Sequence, residues 1–183
     1  MTRYALLLRG INVGRAHRVP MAELRELLTA EGLGGVRTLL QSGNVVAESE
    51  LPPDELARSM AAALHDRFGF EVPTLVRTAA ELLDVVARDP LRAVVDDPSR
   101  YVVWFAATAL PAELGEWLQT VKPGDDAYAV EGRELYLWCP HGQLQSPLAA
   151  ALAKRTGGPS GTARNWNTVT KLADLLAAGG APR

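Results

Sequence analysis

The chain has 183 residues, 48% of them hydrophobic and 22% charged, with a formal net charge of −2, a globular composition long enough for one large domain or two small ones and with no disordered stretch. Cys139 is the single cysteine, which excludes an intrachain disulfide and a thiolate metal cluster; His17, His65 and His141 have no metal-ligand spacing, so no metal and no cofactor is expected. The charge is uneven, since residues 1–20 hold four arginines and no acid, residues 141–183 hold five basic residues and one acid, and the middle is acidic, a partition of +4, −10 and +4.

The first apolar run, residues 4–8, is short and bounded by Gly10, as a buried strand would be. A loop leads to Pro20, which suits a first helical position, and Met21, Leu24, Leu27 and Leu28 recur at helical spacing until Gly32. Residues 36–40 and 45–48 flank Gln41, Ser42, Gly43 and Asn44, and read as two strands joined by a tight turn. After Pro52 and Pro53, the spacing of Leu56, Met60, Ala63 and Leu64 predicts a second helix closed by Gly69, and residues 71–77 alternate as a strand. The order βαββαβ is that of the ferredoxin-like unit, an antiparallel sheet with both helices on one face.

The remaining elements repeat that order. A helix over 79–87 and a loop through Asp96, Asp97 and Pro98 lead to a strand over 101–106, a helix over 111–120 and strands over 127–130 and 134–139 turned at Gly132. A helix over 147–155 follows, then a glycine loop over 157–161, a closing strand near 162–165 and a last helix marked by Val169, Leu172, Leu175 and Leu176. The fold class is therefore α+β, two ferredoxin-like units in tandem: 1–78, then a connecting helix and loop over 79–98, then 99–183. The longest apolar runs, such as residues 101–110, are too short to cross ~30 Å of hydrocarbon. The first residues lack the apolar core of a signal peptide, so a cytoplasmic, membrane-free protein is expected.

Two polar, glycine-framed segments stand against apolar elements at opposite ends: Arg9, Gly10, Ile11, Asn12, Val13, Gly14, and Arg164, Asn165, Trp166, Asn167, Thr168. Arginine and asparagine there supply many donors, which packing alone does not require. The first has the strand–loop–helix context in which backbone N–H groups hold anions, yet it lacks the Gly-Lys-Ser/Thr of a P-loop and the glycine pattern of a dinucleotide fold. Its glycines equally serve turn geometry, and Asn12 equally bonds its own backbone. In the second segment Asn167 is placed as the N-cap of the last helix and Trp166 as its core anchor, while Arg164 suits either a carboxylate or phosphate ligand or a structural ion pair.

Leu7, Leu8, Arg9, Gly10, Ile11, Asn12, Val13 and Gly14, then Pro20 and Met21, then Gln41 to Val45, and finally Arg164 to Val169 resemble the signature of a bacterial domain-of-unknown-function family, number sixteen-ninety-seven, the LLRGINVG family. The resemblance implies a pair of ferredoxin-like units and no established activity. Arg15 stands where the family usually has a second glycine, and Pro147 where it usually has a lysine.

The expected function is binding of a small anionic molecule, such as a phosphate, nucleotide or carboxylate, where the terminal motifs meet. Arg9, Gly10, Asn12, Gly14, Ser42, Asn44, Arg164, Asn165 and Asn167 are the candidate ligand-binding residues, and no catalytic residue is assigned. The alternatives are an enzyme using Arg9 and Arg164 to stabilise charge on a phosphate or carboxylate substrate, and a protein-interaction module whose motifs are structural. Nucleic-acid binding is disfavoured. Trp104, Tyr136 and Trp138 could share a sheet face as in RNA-recognition domains, but a pI near 5.9 and the lack of a basic stripe favour packing for those aromatics.

Overall fold

A computed structural model describes residues 1–155 and 160–178; residues 157–159 of the expected glycine loop lie outside the described residues. The chain forms two compact units, Met1–Val86 together with the chain from Thr170 on, and Ala87–Val169. Each contains one four-stranded antiparallel sheet.

The first unit runs β1 (Thr2–Leu8), α1 (Met21–Ala30), β2 (Gly34–Leu39), β3 (Asn44–Ser49), α2 (Pro53–Phe68) and β4 (Thr74–Thr78), with strand order β2-β3-β1-β4. Because side chains alternate along a strand, Tyr4, Leu6 and Leu8 of β1 share one face with Val45, Ala47 and Val76. Leu24 and Leu28 of α1 and Leu56, Met60 and Leu64 of α2 bury against that face. Each such side chain contributes about 2 kcal/mol. The opposite face carries Arg3, Ala5, Leu7, Val46 and the buried Arg77. α3 (Ala79–Arg88) follows β4 directly, started by Thr78, whose Oγ accepts from the Glu81 N–H at 3.1 Å while the Glu81 carboxylate accepts from the Thr78 N–H at 2.8 Å, a reciprocal capping box.

The second unit runs β5 (Tyr101–Ala106), α4 (Ala112–Thr120), β6 (Ala127–Glu131), β7 (Glu134–Trp138), a 3₁₀ turn (Gln143–Gln145), α5 (Pro147–Lys154) and β8 (Gly161–Asn165), with order β6-β7-β5-β8. The closing strand expected near 162–165 is present and pairs antiparallel with β5. Leu114 and Leu118 of α4 and Leu148 of α5 pack with Leu135, Leu137, Cys139 and Trp104. Pro147 opens α5 without loss, because a first-turn N–H has no intrahelical acceptor. Ser146 Oγ accepts from the Ala149 N–H at 2.8 Å and donates to Asp126 at 2.7 Å, and Asp126 also accepts from the Leu148 N–H at 3.2 Å. The positive end of α5 is thus filled by the protein's own carboxylate.

Two expectations are corrected here. α6 (Trp166–Ala178) begins two residues earlier than an Asn167 cap requires, and Asn165 is the cap, its Oδ1 accepting from the Thr168 N–H at 3.0 Å and the Thr168 hydroxyl at 2.8 Å. The three aromatics do not share a face either: Trp104 is registered with Leu135 and packs among the helices, whereas Tyr136 is registered with Val103 on the other side of the sheet. An Asn165→Ala variant is expected to lose about 1 kcal/mol in urea unfolding; a larger loss from Asn167→Ala would overturn the assignment. α6 also joins both units, since its residues from Thr170 on belong to the first, and there Arg3 donates from Nη1 to the Leu176 carbonyl.

Candidate functional site

The first unit gathers six of the expected residues at one end of its sheet: Arg9, Gly10, Asn12 and Gly14 in the loop after β1, and Ser42 and Asn44 in and beside the β2–β3 turn. Asn12 joins the two segments. Its Nδ2 donates to the Val19 carbonyl at 2.9 Å and the Gln41 carbonyl at 2.8 Å, and its Oδ1 accepts from the Val19 N–H at 2.9 Å. Both amide protons are therefore committed to backbone. Ile11 and Val19 sink into the core at either end of the loop, the Asn12 N–H closes it onto the His17 carbonyl at 2.9 Å, and the His17 ring stacks on Phe70 with centroids 4.4 Å apart.

The turn is locked from below. The Gly43 carbonyl accepts from the Leu8 N–H at 2.8 Å. A Cβ at Gly43 would lie 2.7 Å from Leu8 Cβ and 3.1 Å from Ile11 Cδ1, at a φ of +79°, so only glycine fits. Buried Asn44 donates from Nδ2 to Ser42 Oγ at 2.9 Å and the Leu39 carbonyl at 3.1 Å. Leu40, expected to end the second strand, instead turns the chain at a φ of +59°.

The backbone is bent at Asn12 (φ +55°), Gly14 (+63°) and His17 (+53°), and Leu40 in the adjoining turn is also left-handed. Left-handed non-glycine residues cost about 1 kcal/mol each and persist only where tertiary contacts over-determine them. Arg15 is not among them, so a side chain there strains nothing. The crest of this loop is open: Val13 is 72% exposed, Gly14, Arg15, Ala16 and Arg18 are exposed, as are Arg9 and Gly10. The turn at Gly14 and Arg15 is closed by the Ala16 N–H on the Val13 carbonyl, and among the described residues no group accepts from the backbone N–H of Val13, Gly14 or Arg15. Arg15 and Arg18 were absent from the expected set; the run of four arginines without an acid in residues 1–20 was the available signal.

Arg164, Asn165 and Asn167 belong to the second unit. Arg164 is buried on β8, donating from Nη1 to Thr162 Oγ1 at 2.7 Å and the Ala163 carbonyl at 2.8 Å; burial lowers its pKa to about 10, so it stays cationic at neutral pH. Trp166 stacks on Tyr101 at 4.8 Å. The Tyr101 hydroxyl donates to Asp89 at 3.0 Å, and burial, followed by that carboxylate, pushes the phenol well above its ordinary range. Tyr101 and Asp89 gave no sequence signal, because their pairing depends on where the loop after α3 returns.

No helix among the described residues is long and apolar enough to cross a membrane, and among them no three His, Cys, Asp or Glu side chains cluster as metal ligands. No curated protein matches the chain. Its fold is similar to that of the conserved bacterial protein SP0830 from Streptococcus pneumoniae, with a TM-score of 0.79 and 24% identity over 96% of this chain and 98% of that one. The sequence profile of a family described as protein of unknown function, DUF1697, matches residues 1–136, and the chain belongs to that family.

Proposed function

We propose that the protein binds a small anionic ligand, a phosphate, nucleotide or carboxylate, on the loop between β1 and α1. One observation carries this reading: three successive crest N–H groups, Val13 to Arg15, donate to no acceptor among the described residues and are flanked by exposed Arg9, Arg15 and Arg18, with no acid in residues 1–20. Successive backbone N–H groups in a bent loop and clustered guanidiniums both favour negative charge. Asn12, Ser42 and Asn44 then act as scaffold, holding the loop's curvature, and Arg9, Arg15 and Arg18 supply the charge. We read each unit as a ferredoxin-like plait and the chain as a tandem duplication, a reading supported by the matching sheet orders β2-β3-β1-β4 and β6-β7-β5-β8. A cytoplasmic setting accords with one buried, unpaired cysteine.

Calorimetric titration with inorganic phosphate, a nucleotide panel and dicarboxylates tests the reading. Binding is expected to weaken with salt as the Debye length falls from ~10 Å at 0.1 M to ~3 Å at 1 M. Arg15→Ala and Arg18→Ala are each expected to weaken it by roughly tenfold, one charge-assisted hydrogen bond apiece, with the melting temperature unchanged. No heat with any anion at millimolar concentration overturns the reading. It would leave the loop as a protein-binding surface, the alternative favoured by exposed Val13 and by Leu40, which is 57% exposed.

A further inference from the structure

Three of the four sheet edges are protected. β2 carries a register shift between Gly34 and Arg37 and an exposed Arg37; β4 holds Leu75, Val76 and Arg77 buried, and β8 holds Gly161, Thr162 and Arg164 buried. Bulges, edge charges and covering structure are the devices that stop edge strands from pairing with other chains. β6 has none of them before Glu131 at its last position. Its residues Ala127, Tyr128, Ala129 and Val130 are uncharged and half-exposed, without proline or bulge.

The β6–β7 register shows which backbone groups this edge presents. Glu131 and Glu134 close a two-residue turn, and a closing pair of that kind exchanges both hydrogen bonds, so bonded and non-bonded pairs then alternate along the ladder. Ala129 and Ala127 bond to β7, leaving the N–H and C=O of Tyr128 and Val130 directed away from the sheet. Among the described residues nothing is bonded to those outward groups.

We propose that this edge is a homodimerisation site at which β6 pairs antiparallel with β6 of a second copy about a two-fold axis at Ala129. The strand is self-complementary in that register. Tyr128 stands opposite Val130 of the second copy, an aromatic–β-branched pair formed twice, with about four new backbone hydrogen bonds. Glu131, the only charge on the strand, meets Ala127 rather than another acid, and Arg88 already lies 4.0 Å from its carboxylate. A two-fold contact of this kind closes on itself and does not propagate into fibres.

Cysteine cross-linking and sedimentation of the full chain test this. Across a non-bonded antiparallel pair the Cα atoms lie ~4.5 Å apart, inside the disulfide range. An Ala129→Cys variant is therefore expected to form a covalent dimer on mild oxidation, whereas Leu144→Cys, on a fully exposed side chain elsewhere in the unit, is not. Buried Cys139 is a silent background thiol. In sedimentation equilibrium the unmodified chain is expected to dimerise between micromolar and millimolar concentration. Val130→Pro, which removes an outward N–H from each copy and leaves the β7 ladder intact, is expected to weaken that association by roughly tenfold or more. A chain that stays monomeric throughout overturns the proposal, as does a dimer that a folded Val130→Pro leaves unaffected or an Ala129→Cys variant that cross-links no better than Leu144→Cys. If Val130→Pro fails to fold, the cysteine pair decides alone.

Discussion

Gly161→Ala is expected to destabilise the protein by about 3 kcal/mol or more, read as a lower midpoint in urea unfolding. A Cβ at that position would stand 2.5 Å from the Phe105 carbonyl oxygen and 2.5 Å from the Trp104 ring, well inside van der Waals contact. Neither neighbour can yield. Phe105 and Trp104 lie on β5, a central strand paired with β7 and β8, and Trp104 packs into the helix-side core with Trp117 and Leu118. The only relief is to move β8 away from β5, which breaks the ladder that positions Arg164 and the start of α6. A loss under about 1 kcal/mol, the ordinary cost of a tolerated core change, would show that the strand has room to shift.

Asn12→Ala is the second large effect, expected to cost about 3 kcal/mol. Three hydrogen bonds disappear at about 1 kcal/mol each, and the buried Val19 N–H loses its acceptor. The left-handed φ of +55° adds to the cost, because alanine tolerates that region less well than asparagine. Asn12→Asp keeps the acceptor and loses both donors, so it should fall between alanine and the native residue. Thermal melts together with phosphate titration separate scaffold from ligand contact: Asn12→Ala should impair both stability and binding, Arg15→Ala binding alone. Equal melting temperatures for Asn12→Ala and the native chain would remove Asn12 from the scaffold.

The first unit was legible because its punctuation is local. Pro20, Pro53 and Gly69 sit at helix boundaries, and the polar residues 41–44 fall between two apolar runs, so both helices and the hairpin could be found from their own residues, although the strand expected over 71–77 is Thr74–Thr78. What failed needed tertiary information. The face on which Trp104 points follows from its register with Leu135 in the pairing of β5 with β7, a pairing of strands separated by α4 and β6 that alternation within one strand cannot reveal. The cap of α6 was ambiguous because Asn165 and Asn167 both flank Trp166, and only the end of the β8 ladder at Asn165 decides where helical geometry begins. Of the candidate site, the loop and turn residues were identified but not their division of labour: that Asn12 faces backbone while Arg15 and Arg18 face solvent depends on Ile11 and Val19 entering a core made largely of later residues.

The path of α6 bears on how this protein is made. A ribosome releases residues 1–86 early, yet the first unit also includes the chain from Thr170 on, and Arg3 finds its carbonyl 173 positions later at Leu176. The amino-terminal unit is thus completed last, after the whole second unit has emerged, and until then the nascent chain carries an unfinished half-protein. Synthesis halted anywhere before α6 should yield a fragment that depends on holding chaperones.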